Sequence, residues 1–220
     1  MLGPEKRRKR EKEQRRKAIL KAARKLFIEY GFKHVTVANI AKKAELSKGA
    51  IYLYFNSKEE IYAQILLSDI GNFHRKLSQI FREKKTASEV LIDFANAYID
   101  IFMNAREQFR ILMNFMLNAD NLSLSSGVRK QVIREMNRTI SLIEKILQYG
   151  VETGELSVQK SDVRKMRNVL WGLLNGIIAL HLFVGTESMR AERIRSNVEE
   201  GIKTMIEGLK NIHKEEVTNG

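Results

Sequence analysis

Proline occurs once in these 220 residues, at Pro4. Proline removes a backbone donor and clashes with the preceding helical turn, so its absence from residue 5 onward leaves room for long uninterrupted helices. No stretch of useful length alternates apolar and polar residues at the strand period; apolar residues recur instead at three- and four-residue intervals. The expected fold class is all-α. Cysteine is absent, which excludes disulfides, thiolate zinc sites and cysteine nucleophiles and suits a reducing compartment. The most apolar stretch, residues 169–184, is shorter than a membrane span and contains Asn175 and His181, so it reads as a buried helix. Behind the charged opening residues there is no apolar run of the kind a signal peptide needs, and the expected location is the cytoplasm.

Charge is unevenly spread. Residues 1–60 hold 17 Lys/Arg against 7 Asp/Glu, a net of +10, while residues 61–220 hold 22 against 19, a net of +3. A polyanionic partner is therefore expected for the N-terminal quarter. Within it, residues 5–17 carry nine basic residues and three glutamates. This arm could be a solvated, partly helical extension or a run of charge that follows DNA phosphates.

Ile19, Leu20, Ala23, Leu26, Phe27 and Tyr30 then form one apolar stripe, which Gly31 ends. A short helix opened by Thr36 buries Val37, Ile40, Ala41 and Ala44, and Glu45-Leu46-Ser47 makes a three-residue turn. Ser47 is placed to cap a third helix from Lys48 to Phe55, with Ile51 and Phe55 inward. Asn56 breaks that helix, and Ser57-Lys58-Glu59-Glu60 reads as a capping box opening a long helix to about Arg82. Five further helices are expected, over about residues 86–106, 107–118, 128–154, 161–184 and 191–213, with a polar loop at 119–127.

Two short helices joined by a three-residue turn form a helix-turn-helix, whose second helix enters the DNA major groove. Gly49 and Ala50 leave room for close backbone approach, and Lys48 and Tyr52 project opposite the buried Ile51 and Phe55, towards phosphates or base edges.

The stretch Ile19 to Leu66 resembles the N-terminal domain of the TetR family of bacterial regulators. The resemblance is carried by Ala22-Ala23, Leu26-Phe27, Gly31-Phe32, Thr36-Val37, Ile40-Ala41, Ala44, the run Ser47 to Phe55, and Ser57 to Ile61. It implies that Thr36 and Ser47 cap helices and meet phosphates, and that Lys48, Gly49 and Ala50 face bases or the adjacent backbone. Tyr52 and Tyr54 would each bond a phosphate, and Lys58 would join them from the start of the fourth helix. Ser57 is expected as a cap. The arm before Ile19 departs from many members of the family.

Residues 1–57 are thus expected to form the arm and DNA-binding domain, and residues 58–220 a helical ligand-binding and dimerisation domain. Within the latter the resemblance implies a homodimer through the last two helices, and Gly172 and Gly176 would permit close helix approach there. Aromatic and methionine side chains cluster at Tyr98, Phe102, Met103, Phe109, Met113, Phe115 and Met116, where they form either an ordinary core or the wall of an apolar ligand site. The candidate ligand set is Tyr98, Phe102, Met113, Asn114, Met116, Trp171, Asn175 and His181. Asn175 and His181 each require a partner, which could be a ligand, a backbone carbonyl or a second subunit. The four histidines (His34, His74, His181, His213) are too scattered for a metal site, Asp93 and Asp100 read as a solvated face, and neither an enzyme nor a cofactor is expected. The function expected is a ligand-responsive transcriptional repressor that binds a palindromic DNA operator as a dimer and is released by a small apolar effector.

Overall fold

The computed structural model describes residues 3–82, 85–118, 124–183 and 190–211, and these are helical without strands. In chain order the helices are α1 (Pro4–His34), α2 (Val37–Lys43), α3 (Lys48–Tyr52), α4 (Lys58–Ser78, tightening into a 3₁₀ turn at Gln79–Arg82), α5 (Ala87–Asn104), α6 (Arg106–Asn118), α7 (Ser126–Glu152), α8 (Val163–Phe183) and α9 (Arg190–Asn211). Most of the polar loop expected at 119–127 lies outside the described residues, and α7 begins within it at Ser126.

Packing divides the chain into two units, one of residues 1–70 with 106–134 and one of residues 71–105 with 135–220. In this packing α6 lies with the N-terminal helices. The Tyr62 hydroxyl of α4 donates to the Ile111 carbonyl of α6 at 2.9 Å. Tyr62 also meets Phe27 and Phe32 of α1 with ring centroids 5.2 and 5.0 Å apart. Burial pushes its phenol pKa up, against the hydrogen bond from Asn114.

In the first unit, α1 is helical from Pro4, which occupies its first turn, so the charged arm is a continuous helical extension of the apolar stripe. The stripe buries Ile19, Ala22, Ala23, Leu26 and Phe27, whereas Tyr30 is 53% exposed and lies outside it. Gly31, at φ +74°, breaks α1 as its residue type demands. Ile40 and Ile51 are fully buried, and each such side chain contributes about 1.5–3 kcal/mol relative to exposure. Arg24 of α1 grips Asp69 of α4 through two bonds of 2.6 and 2.7 Å.

In the second unit α5 is buried along much of its length. It buries Val90, Leu91, Phe94, Tyr98, Ile99, Ile101 and Phe102 and packs chiefly on α9. Its N-terminus is capped twice, by Thr86 and by Glu155, whose carboxylate accepts from the N–H groups of Ala87 (2.6 Å) and Ser88 (3.0 Å) and from the Ser88 hydroxyl. Arg167 of α8 bonds Glu144 of α7 at 2.6 Å, and Arg195 of α9 bonds Asp100 of α5 at 2.6 Å. No helix among the described residues is long and apolar enough to cross a membrane.

Candidate nucleic-acid interface

The helix-turn-helix is built from capped ends. Thr36 Oγ1 accepts from the Asn39 N–H at 3.1 Å, while Asn39 Oδ1 accepts from the Thr36 N–H at 3.0 Å and from the Thr36 hydroxyl at 2.6 Å. Asn39 is thus the second half of a capping box that the Thr-x-x-Asn spacing could have signalled. Between the helices, the Leu46 N–H bonds the Ala41 carbonyl at 3.0 Å, and Glu45 turns the chain at φ +57°. Ser47 Oγ accepts from the Ala50 N–H at 3.1 Å and fixes the start of α3.

Helix α3 is shorter than the sequence suggests. It ends at Tyr52 rather than Phe55, because the N–H groups of both Tyr54 and Phe55 converge on the Ile51 carbonyl and turn Phe55 inward. What remains is one turn with a buried Ile51 and an exposed opposite side. Lys48, Gly49 and Tyr52 are exposed, Ala50 and Tyr54 half-buried. Among the described residues, Lys48 Nζ and the Tyr52 hydroxyl have no hydrogen-bond partner, so both are free to bond an incoming group.

A Cβ placed on Gly49 would meet nothing nearer than Ser47 Oγ at 3.9 Å, and Gly49 does not have a positive φ. Nothing among the described residues requires glycine there.

Lys58, expected to meet phosphate, is held within the protein's own first unit. Its Nζ donates to the carbonyls of Phe32 and Val35, each at 3.0 Å, and sits 4.4 Å from the centre of the Phe32 ring. Both carbonyls stand at the C-terminal end of α1, where no further helical N–H follows to meet them, and the ammonium collects them. Ser57 caps α4 by accepting from the Glu60 N–H at 3.2 Å, and Glu60 reaches back to the Asn56 N–H at 2.7 Å, one residue further than a capping box requires.

The candidate ligand residues fall in both units. In the second, the Tyr98 hydroxyl donates to Asn175 Oδ1 at 2.8 Å, and Asn175 Nδ2 donates to its own helix at the Trp171 carbonyl, also at 2.8 Å. Asn175 therefore finds its partners in a phenol and a backbone carbonyl. The Tyr98 ring lies 5.1 Å from Trp171, and burial holds its phenol pKa far above the ordinary value. Phe102 is buried beside them on α5. Met113, Asn114 and Met116 belong to α6 in the first unit. There Asn114 Nδ2 reaches the Tyr62 hydroxyl at 3.3 Å and, with Phe27, Arg110 and Ile111, lines a cleft of about 290 Å³. The side chain of His181 and the whole of His213 lie outside the described residues.

Sequence reasoning missed Arg16. Its guanidinium lies 5.4 Å from the centre of the Phe55 ring and donates to Gln64 at 2.7 Å, fastening the arm end of α1 to the segment after α3. The partners are 39 and 48 residues away, beyond the reach of local pattern.

Comparison with known proteins agrees with this geometry. Residues 19–65 match the family model for bacterial regulatory proteins of the tetR family. A fatty acid metabolism regulator protein of Bacillus subtilis (strain 168) is 27% identical over 157 residues, covering 71% of this chain and 78% of its own. The crystal structure of the TetR family transcriptional regulator PfmR from Thermus thermophilus superposes with a TM-score of 0.67 at 27% identity, covering 88% of this chain and 97% of that one. The fold is shared as well by the transcriptional regulator FadR from Bacillus subtilis, solved in complex with stearoyl-CoA, with a TM-score of 0.65 at 21% identity over 88% of this chain and 96% of that one. Residues 19–65 are thus a helix-turn-helix domain of the tetR family of bacterial regulators, and the chain as a whole is similar in sequence and helical fold to transcriptional regulators of that family.

Proposed function

We propose that the protein is a ligand-responsive repressor that binds a near-palindromic operator as a homodimer and leaves it on taking up an apolar effector. The observation that carries the DNA half is α3: a capped single turn presenting Lys48, Gly49, Ala50 and Tyr52 outward, with unengaged donors at Lys48 and Tyr52. Ser47 and Tyr54 flank that surface, and Thr36 stands at the head of α2. Phosphate contacts position such a helix and base edges specify its site, so Tyr52 and Ser47 serve the first role and Lys48 and Ala50 the second. Two copies, with recognition helices about 34 Å apart, would occupy successive major grooves.

Dimerisation through α8 and α9 is supported by one side of α8. Val169 is 49% exposed and Leu180 67% exposed, with Gly172 and Gly176 exposed between them at helical spacing. A cluster of this kind on a helix is suited to close packing against another helix.

For the effector, Tyr98, Phe102, Trp171 and Asn175 offer an aromatic wall with one amide, and Met113, Asn114, Met116 and His181 complete the candidate set. The relative from Bacillus subtilis regulates fatty acid metabolism, and FadR was solved with stearoyl-CoA, so a long acyl chain is the first apolar effector to try. An effector acts only through unequal affinity for two conformations. The fourth helix, which carries Lys58 and Tyr62, is the proposed relay.

Selection of genomic fragments with the purified protein, followed by footprinting at two salt concentrations, tests the reading. A protected, salt-sensitive palindrome released by an acyl thioester is expected. Uniform binding without a preferred site would point instead to an architectural protein.

A further inference from the structure

The arm of α1 resolves into two unlike sides. At 100° per residue, Arg8, Lys12 and Arg16 form an i, i+4 ridge on the side of the helix that Ile19, Ala23 and Leu26 bury further along. Arg16 shows where that side leads, because its guanidinium rests on Phe55, just past the recognition helix, and bonds Gln64 of α4. Lys12 and Arg8 lie about 6 and 12 Å further out along the same ridge, at 1.5 Å of rise per residue.

Pairing is sorted in the same way. Glu11 bonds Arg7 at 3.0 Å and Glu13 lies 4.0 Å from Lys17, so two of the three arm glutamates are matched with cations off the ridge. Glu5 stands in the first turn of α1, where a negative charge favours the helix N-terminus. Arg8 and Lys12 are exposed and, among the described residues, have no ion pair or hydrogen bond.

We infer that the Arg8–Lys12 ridge is a second DNA contact, binding the phosphate backbone of the duplex beside the segment that α3 reads. Two features select duplex phosphate over another polyanion: the ridge is continuous, through Arg16 and Phe55, with the α3 surface, and it carries no aromatic side chain on which an unpaired base could stack. Such a ridge lengthens the footprint without adding base preference. This rests on the reading of α3 as the base-reading helix.

The test compares the R8Q/K12Q double variant with K6Q/R10Q, which removes equal charge from the opposite side of the same helix. Both are measured on a mixed-sequence duplex of about 40 base pairs and on a selected genomic fragment, trimmed to its footprint or extended on both sides. Each phosphate contact contributes about 0.9 to the slope of log K against log salt, so R8Q/K12Q is expected to lower the slope by about 2 per protomer. K6Q/R10Q should lower it by less than half of that. The gain in affinity from extended flanks should persist in K6Q/R10Q and vanish in R8Q/K12Q. Equal slopes for R8Q/K12Q and the unaltered protein would overturn the inference, as would equal losses in the two variants, which would reveal only a general charge effect. If the unaltered protein bound the extended fragment no better than the random duplex, the reading of α3 itself would fail first.

Discussion

Replacing Gly49 by alanine should move stability and DNA binding in opposite directions. The added methyl enters open space inside the protein, with Ser47 Oγ at 3.9 Å as its nearest neighbour. Because the backbone there does not have a positive φ, alanine incurs no strain. Alanine is favoured over glycine in a helix by about 0.8–1 kcal/mol, and a position this near the helix start should realise part of that. A gain of roughly 0.5–1 kcal/mol raises Tm by about 1–4 °C in a chain of this size. On DNA, the same methyl stands where the α3 backbone would approach the groove. If it holds α3 away far enough to lose one good base contact, about 1–3 kcal/mol is lost. That corresponds to roughly 5- to 150-fold weaker binding to the selected site. Thermal denaturation and fluorescence anisotropy on one fluorescent duplex measure both quantities. Unweakened binding by Gly49→Ala would refute close approach at α3, and a lowered Tm would refute the claim that the space around Gly49 is open.

Two further perturbations probe the second unit. A Cβ at Gly150 would lie 2.5 and 2.6 Å from Leu156 and 2.8 Å from the Ala87 Cβ, so Gly150→Ala should cost about 1–3 kcal/mol, read as a lower midpoint in urea; an unchanged midpoint would mean that the α7 end shifts freely. At Glu155, burial alone would raise the carboxyl pKa, but the hydrogen bonds from Ser88 and Ala87 outweigh it and hold the pKa below the ordinary value of 4.5. A depressed folded-state pKa contributes stability that is present above the unfolded value and lost as pH falls through the folded one. Glu155→Gln should therefore flatten the decline in unfolding free energy as pH falls below 4.5, and an unaltered acid limb would show that this carboxylate does not contribute to it.

The helix-turn-helix was legible because its signals are local. Thr36 and Ser47 cap helices through N–H groups three residues on, and Gly31 breaks α1 through its own φ. What the sequence did not reveal has a cause that is distant or lacks a signal of its own. Lys58 is drawn to carbonyls 23 and 26 residues back, and Asn175 meets Tyr98 across 77 residues. The end of α3 at Tyr52 follows from Phe55 turning into the core, with neither glycine nor proline to announce it. The arm was ambiguous because charged residues have no apolar period; helix propagates into it from the stripe that begins at Ile19. The candidate ligand residues rest on side-chain type and local pattern, which do not bring distant helices together, and they lie on α6 and on α5 and α8.

The Ser47 oxygen uses a lone pair to receive the Ala50 N–H and keeps its own hydrogen uncommitted among the described residues. Thr36, by contrast, has already given its hydrogen to Asn39. Evolutionary drift therefore meets different filters at the two positions. Aspartate caps a helix as well as serine does, so at position 47 it would satisfy folding. It would also bring a negative charge, and no hydrogen, to a surface proposed to lie on phosphate. A lineage accepting it would keep a folded protein and lose its hold on DNA, so the substitutions open to this site are fewer than helix capping alone would allow.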